Sequence, residues 1–304
     1  MSRSESSRGV PLRCALPRVA GGTRARHVLT AMLLLALSCC QSCAGQRREP
    51  RQPDPGTPYL RVMTYNVNYG LGGDPEAIAA IAAADADLVL LQETTPEWER
   101  ALRAALADRY SHMAFRHCCG AGGLAVLSRL PLAEREYVHS EAGWFPAWRV
   151  IVQSPGGPVQ VLNLHLRPQV SDSGSVVSGY FTTPSVRLAE AEQFLPLLEP
   201  GLATLIAGDL NEGPDGRAVS YLEGEGFRNA LPEFDGSQQT WRWRTSFGTV
   251  HAQLDHLLYR GAIEPLDVRV LQAGRSDHLP VVGTFELAPG VGDGAPAESS
   301  GSPG

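Results

Sequence analysis

Two short runs, DLVLLQE at 87–93 and ATLIAGD at 203–209, are almost unbroken apolar residues that end in a carboxylate. Runs this short fit a strand covered on both faces rather than a surface helix. Such strands need covering layers, and the segments around them can supply these. DPEAIAAIAAA at 74–84 reads as a helix with Asp74 as its cap and Pro75 in its first turn. PEWERALRAAL at 96–106 reads as a second helix, SVRLAEAEQFLPLL at 185–198 as a third that holds until Pro196, and DGRAVSYLEGEG as a fourth ending at Gly224 or Gly226. Further strands are expected at 59–66, 123–127, 133–138, 148–153, 159–164, 254–259 and 280–287. The alternation of strands and helices places the chain in the α/β class.

Polar clusters end these strands. They are TYNV at 64–67, LLQET at 90–94, LNLHLRP at 162–168, AGDLNEGP at 207–214, LDHLLY at 254–259 and RSDHLP at 275–280. Each alone is an ordinary loop sequence. Together they put carboxylates, amides and imidazoles at strand mouths, where they can meet one substrate. Asp209 and Asn211 lie two apart, so an extended backbone points both to one side.

In this order and spacing the clusters resemble the endonuclease/exonuclease/phosphatase superfamily, across about residues 59–287. The resemblance implies a four-layered α/β sandwich, two central mixed sheets flanked by helices. It also implies Mg²⁺-dependent hydrolysis of phosphate esters, with Mn²⁺ as the substitute ion. Matched to the family motifs, Glu93 is the principal metal ligand, with Asn66 and Asp277 beside it. Asp209 aligns or deprotonates water and Asn211 holds a phosphate oxygen. His278 is the catalytic histidine, oriented by Asp255. His165 is a second catalytic histidine, and it argues against the abasic-site branch, where a tyrosine is common. His256 stands where the family often has an aromatic and receives no role.

Arg167 is a candidate for holding phosphate by charge-assisted hydrogen bonds, with a surface ion pair as the equal alternative. Arg149 is a lesser candidate. Trp241 is a candidate cleft-lining residue, with a core position as the alternative. Trp241 to Arg244 interleaves tryptophan and arginine, a pattern able to stack bases and hold phosphates. The stretch 168–184 reads as a long, irregular polar loop, in which Tyr180 and Phe181 could contact a leaving group.

Charge limits the substrate. The chain has 26 basic and 32 acidic residues, a net of −6, and no lysine. Residues 1–51 hold nine arginines and two acids, which leaves 17 basic and 30 acidic residues from position 52 onward, a net of −13. A protein that tracks a polyanion gains affinity from clustered Lys and Arg, so a groove-tracking nuclease is disfavoured by this balance.

Arg24 and Arg26 precede the apolar run at 28–37, which Cys39 and Cys40 follow closely. The run is about half the length of a membrane span, as in a secretory signal peptide, and the cysteines resemble those of a lipoprotein signal. The expected organisation is a signal peptide at 1–43, a linker at 44–58, the phosphoesterase domain at 59–287 and a disordered Gly/Pro/Ser tail at 288–304. Export to the cell envelope, lipid-anchored to a membrane or secreted, follows as the expected location, and a monomer as the expected state. Cys118 and Cys119 are adjacent, and neighbours seldom bridge each other.

A phosphodiesterase is the leading reading, acting on a small molecule, a lipid headgroup or a nucleic acid. The alternatives are an extracellular nuclease, a sphingomyelinase-like phospholipid phosphodiesterase, for which no apolar membrane-inserting hairpin is evident, and a catalytically inactive binding module on the same fold.

Overall fold

Leu88 and Leu90 point to one face of their strand and Val89 and Leu91 to the other, and all four are fully buried. That strand therefore lies between two hydrophobic layers. The computed structural model describes residues 47–246 and 248–288. The expected signal peptide at 1–43, the start of the linker and all but the first residue of the tail lie outside the described residues.

The strands are β1 (Tyr59–Asn66), β2 (Leu88–Gln92), β3 (His112–Arg116), β4 (Leu124–Ser128), β5 (Leu132–His139), β6 (Pro146–Ser154) and β7 (Gly157–His165). They continue with β8 (Ala203–Asp209), β9 (Arg228–Asn229), β10 (Trp241–Thr245), β11 (Gly248–Ala252), β12 (Asp255–Arg260), β13 (Ile263–Val270) and β14 (Val281–Leu287). The helices are α1 (Pro75–Ala84), α2 (Pro96–Leu106), α3 (Val176–Thr182), α4 (Pro184–Phe194), α5 (Arg217–Gly224) and α6 (Ala230–Asp235).

One sheet runs β13-β14-β1-β2-β4-β3 and the other β5-β6-β7-β8-β12-β9. The β1–β2 and β7–β8 pairs are parallel while their other neighbours are antiparallel, so both sheets are mixed. Between the sheets, Leu60, Val62, Leu90 and Val126 meet Trp148, Val150, Val161 and Leu205. Outside the first sheet, Ile81, Trp98 and Leu102 of α1 and α2 cover Met63, Val89 and Leu91. Outside the second, Phe194, Val219 and Leu222 of α4 and α5 cover Leu164, Ile206 and Leu258. The result is the four-layered α/β sandwich. Each large apolar side chain buried in these layers contributes about 1.5–3 kcal/mol.

Asp74 caps α1 by accepting from the Ala77 N–H at 2.9 Å, with Pro75 next in the first turn; such a cap stabilises by about 1 kcal/mol. At Gly208 (φ +148°) a Cβ would collide with the Leu164 carbonyl. The missing side chain lets β7 and β8 approach in the register that sets His165 beside Asp209. Across β8, the β12 register sets Asp255 opposite the same Asp209.

Three expectations change. The stretch 168–184 is not wholly irregular, because it carries α3. The expected linker is attached from Arg47 onward: Arg48 pairs with Glu233 at 2.7 Å and Arg51 with Glu286 at 2.7 Å. Cys118 and Cys119, despite their adjacency, are joined by a disulfide in a turn where Cys119 takes a left-handed φ of 37°. Among the described residues, no helix is long and apolar enough to cross a membrane.

Candidate active site

Asn66, Glu93, His165 and Asp209 come from the ends of β1, β2, β7 and β8, Asp255 starts β12, and Asp277 and His278 precede β14. Asn66 Nδ2 donates to Glu93 Oε1 at 3.0 Å and to Asp209 Oδ2 at 3.1 Å, which links the two sheets. Its Oδ1 accepts from the Asn68 N–H at 3.1 Å. Asn66 therefore turns a donor toward the carboxylates and its oxygen toward its own turn, an orientation unlike that of the expected metal ligand. Glu93 sits at φ 61°, and its Oε2 accepts from the Tyr69 N–H at 3.0 Å. Asn211 also takes a left-handed φ of 53°, its N–H donating to Asp209 Oδ1 at 2.9 Å and its Nδ2 to the Leu166 carbonyl at 3.1 Å.

Two histidines flank Asp209. His278 Nδ1 donates to Asp255 Oδ2 at 2.9 Å, and its Nε2 stands 3.5 Å from Asp209 Oδ2. Burial alone would lower the His278 pKa, but Asp255 and Asp209 outweigh it and push it up to about 10. His278 is thus an imidazolium at neutral pH. His165 differs. Burial lowers its pKa against the pull of Asp209. Its Nδ1–H donates to the Ala121 carbonyl at 3.2 Å, and its ring stacks on Phe145 with centroids 4.3 Å apart. Neutral His165 with its proton on Nδ1 turns the Nε2 lone pair toward Asp209, 3.5 Å away, and Glu93, 4.0 Å away.

Burial raises Asp209 and Glu93 above their ordinary values. Burial also works on Asp277, yet His278 and hydrogen bonds from Asn68 and Trp241 hold it below its ordinary value. These groups line a cleft of about 490 Å³ whose lining includes no Arg or Lys among the described residues. Buried oxygen donors and a facing imidazole lone pair, with no Arg or Lys among them, suit a hard divalent ion. Asp209, Asp255 and His278 also lie within 4.8 Å of one another. That trio is a second group of oxygen and nitrogen donors able to hold an ion, beside the carboxylate of Glu93.

Residues 63–278 match the model of the Endonuclease/Exonuclease/phosphatase family. The chain belongs to this family. Family members are hydrolases acting on phosphoester bonds and typically depend on a divalent metal. Among solved structures, an endonuclease/exonuclease/phosphatase from Beutenbergia cavernae is 23% identical with a TM-score of 0.60, over 76% of this chain and 72% of that one. ANGEL2, a 2′,3′-cyclic phosphatase, is 14% identical with a TM-score of 0.58, over 80% and 99%. D. rerio TDP2 with a single-strand DNA product is 17% identical with a TM-score of 0.53, over 75% and 99%. These likenesses concern the fold. No curated protein matches by sequence.

Within this family scaffold, some candidates sit elsewhere than expected. Arg167 does not line the cleft: its guanidinium lies 3.4 Å from the centre of the Trp144 ring and donates to Asp172 at 2.8 Å and the Val170 carbonyl at 2.9 Å. It braces the loop after β7, so the expected phosphate contact is corrected to a structural one. Arg149, on β6, pairs with Glu136 and Glu199 and is absent from the cleft lining. Trp241 does line the cleft, and its Nε1 donates to Asp277 at 3.1 Å. Arg242 is turned away, donating to the Gly274 carbonyl at 3.3 Å. Tyr180 and Phe181 are absent from the cleft lining.

A buried network behind the site carries no sequence pattern of its own. Arg187 of α4 donates to Glu212 at 2.9 Å and to the Arg167 carbonyl at 3.1 Å. Glu212 also accepts from the first N–H groups of α5, at 2.6 and 2.9 Å from Ala218 and Val219. His256, neutral in its burial, donates from Nε2 to the Glu212 carbonyl at 2.9 Å and accepts at Nδ1 from Asn229. The network ties the loop after His165 to the loop that carries Asn211. Glu190 accepts from the Arg167 N–H at 2.8 Å, and burial pushes its pKa up to about 7.

Proposed function

We propose that this protein is an exported, Mg²⁺-dependent phosphodiesterase that acts on one phosphodiester at a time. The observation that carries the reading is the cleft itself, where Glu93, Asp277, Asp209, His165 and His278 converge on a wall without Arg or Lys. A polymer-tracking site needs several phosphate contacts, and this cleft offers cationic contact chiefly through His278.

Glu93 and Asp277 are the carboxylates assigned to Mg²⁺, which when bound would neutralise charge on the phosphoryl oxygens. The chain's own groups handle the protons. Hydrolysis adds the hydroxyl of water to phosphorus, breaks one P–O ester bond and leaves a proton on the departing oxygen. Asp209, with the His165 lone pair beside it, accepts the proton from water. His278, kept charged by Asp255, stabilises the phosphoryl charge or supplies the proton to the leaving oxygen. Asn211 holds a phosphoryl oxygen. The disulfide supports export, since such bonds persist in oxidising compartments.

A nuclease is the second reading, favoured by the β10–β11 hairpin, where Trp241 and Trp243 stand 6.3 Å apart and Arg242 and Arg244 alternate with them. Salt separates the two. For a single phosphodiester, apparent affinity should change by less than about threefold between 50 and 200 mM salt. A DNA affinity that falls by orders of magnitude, with a slope flattened by Arg242→Ala and Arg244→Ala, would establish the nuclease instead.

A further inference from the structure

The ring of His165 is held by two groups, and the Cys118–Cys119 disulfide reaches both. Its Nδ1 meets the Ala121 carbonyl at 3.2 Å, and Phe145 stacks on it with ring centroids 4.3 Å apart. At Gly122, next to Ala121, a Cβ would come within 2.7 Å of Cys119 Sγ, 2.9 Å of the Phe145 ring and 3.5 Å of Cys118 Sγ. The disulfide and the aromatic ring thus close on the same glycine. Cys119 Sγ also lies 3.7 Å from the carbonyl of Trp144, the residue before Phe145.

The turn between β3 and β4 is anchored at its end, where the Gly123 carbonyl accepts from the Thr94 N–H at 3.0 Å. Before that point the disulfide is its covalent restraint. Cys119 and Gly120 take left-handed φ values of 37° and 71°, and Gly120, Gly122 and Gly123 surround Ala121. Glycines leave such a turn many alternative paths, and the cross-link removes a share of them. The disulfide is also open to reagents. Cys119 is exposed and Cys118 half-buried, and both line a surface cleft of about 330 Å³ that shares no lining residue with the catalytic cleft. Exposed disulfides belong to the labile, regulatory class.

We propose that the Cys118–Cys119 disulfide is a redox switch that positions His165. Oxidised, it holds the Ala121 carbonyl on the Nδ1–H, so that the Nε2 lone pair faces Asp209. A dithiol reductant opens it by thiolate attack. Two electrons and two protons pass to the cysteines, the S–S bond becomes two thiols, and the reductant closes to its own disulfide. The Cys119 thiol then has a proton to donate to the Trp144 carbonyl, and the freed turn releases Ala121. His165 loses its fixed tautomer, and turnover falls. Only the fall in turnover rests on the phosphodiesterase reading above.

The test uses the full chain with its histidine nitrogens isotopically labelled, the His165 signals being identified by their loss in His165→Ala. The oxidised protein, the same protein in dithiothreitol and a Cys118→Ser, Cys119→Ser double variant are compared. Each is measured by imidazole nitrogen spectra, by turnover of bis(p-nitrophenyl) phosphate with Mg²⁺ and by thermal midpoint. Reduction is expected to move His165 from the Nδ1-protonated form to a mixture of tautomers and to lower kcat about tenfold or more, with the Mg²⁺ requirement within about twofold. The midpoint should stay within a few degrees, and reoxidation should restore spectrum and rate. The double variant should match the reduced protein and ignore dithiothreitol, although it keeps Cys14, Cys39, Cys40 and Cys43. A His165 spectrum unchanged by reduction overturns the proposal, whatever the rate does. A changed spectrum with an unchanged kcat, or a double variant that still responds to dithiothreitol, overturns it as well. A parent that does not cleave the diester overturns the phosphodiesterase reading, and the spectrum then decides the positioning of His165 by itself.

Discussion

The Nε2 atoms of His165 and His278 each stand 3.5 Å from the same oxygen of Asp209, yet the two rings differ in charge. His278 has a carboxylate behind it, whereas His165 has only the Ala121 carbonyl. In the proposed function, a ring whose pKa is raised and a ring whose pKa is lowered around a single carboxylate divide the roles of proton donor and acceptor. That division depends on the second partner of each ring.

Asp255 should therefore control the alkaline side of activity. Its charge is what raises His278 most against burial, so Asp255→Asn lets that pKa fall. The imidazolium is then lost at lower pH, and the alkaline limb of the kcat profile should move down by about one unit or more. A pH–rate profile of the two proteins measures this, and an unmoved alkaline limb would remove His278 as the acid.

Metal and proton chemistry should separate by mutation. Glu93→Gln should raise the Mg²⁺ concentration needed for half-maximal activity, with excess metal restoring part of the rate. His278→Ala should leave that concentration nearly unchanged and lower turnover about 10²–10⁴-fold. Mg²⁺ titrations of both variants decide the matter; identical metal dependence would contradict the assignment.

Glu190 sets a pH dependence of stability. Its folded pKa is raised to about 7 from 4.5, so the folded state binds the proton more tightly than the unfolded chain does. Stability is fully supported below the unfolded value and declines as pH rises through the window from about 4.5 to 7. Glu190→Gln should remove that decline and leave the protein more stable at pH 8 by roughly 1–3 kcal/mol. Urea unfolding at pH 5 and pH 8 would show it, and a variant with the parent's slope would argue against it.

The Arg187–Glu212 pair is buried on both sides, with side chains 3% and 4% exposed. Arg187→Met leaves Glu212 buried without its cation and should cost about 3–5 kcal/mol. A denaturation midpoint equal to the parent's would show that the pair holds nothing together.

The sequence revealed the strands that are apolar on both faces, because burial on two sides leaves an unbroken run as at 88–91. It revealed most of the site for a related reason: Glu93, His165, Asp209 and Asp255 directly end or begin such strands. Arg167 was not legible, since its fate depends on Trp144 and Asp172, which share no pattern with it. Arg187 and Glu212 lie 25 residues apart and meet only through the packing of α4 against α5. α3 was hidden because an outward apolar stripe set among Gly and Ser reads as loop. The β10–β11 hairpin was hidden because WRWRT pairs with an exposed strand rather than with the core.

In the proposed function, Asp209, between its two histidines, serves metal-dependent hydrolysis of a phosphodiester. Turnover of bis(p-nitrophenyl) phosphate by the purified full chain, with Mg²⁺, with EDTA and after Asp209→Asn, tests it most directly. The expected result is hydrolysis that EDTA abolishes, that added Mg²⁺ restores, and that Asp209→Asn lowers by about 10²-fold or more. Hydrolysis that persists in EDTA, or that Asp209→Asn leaves intact, would contradict it.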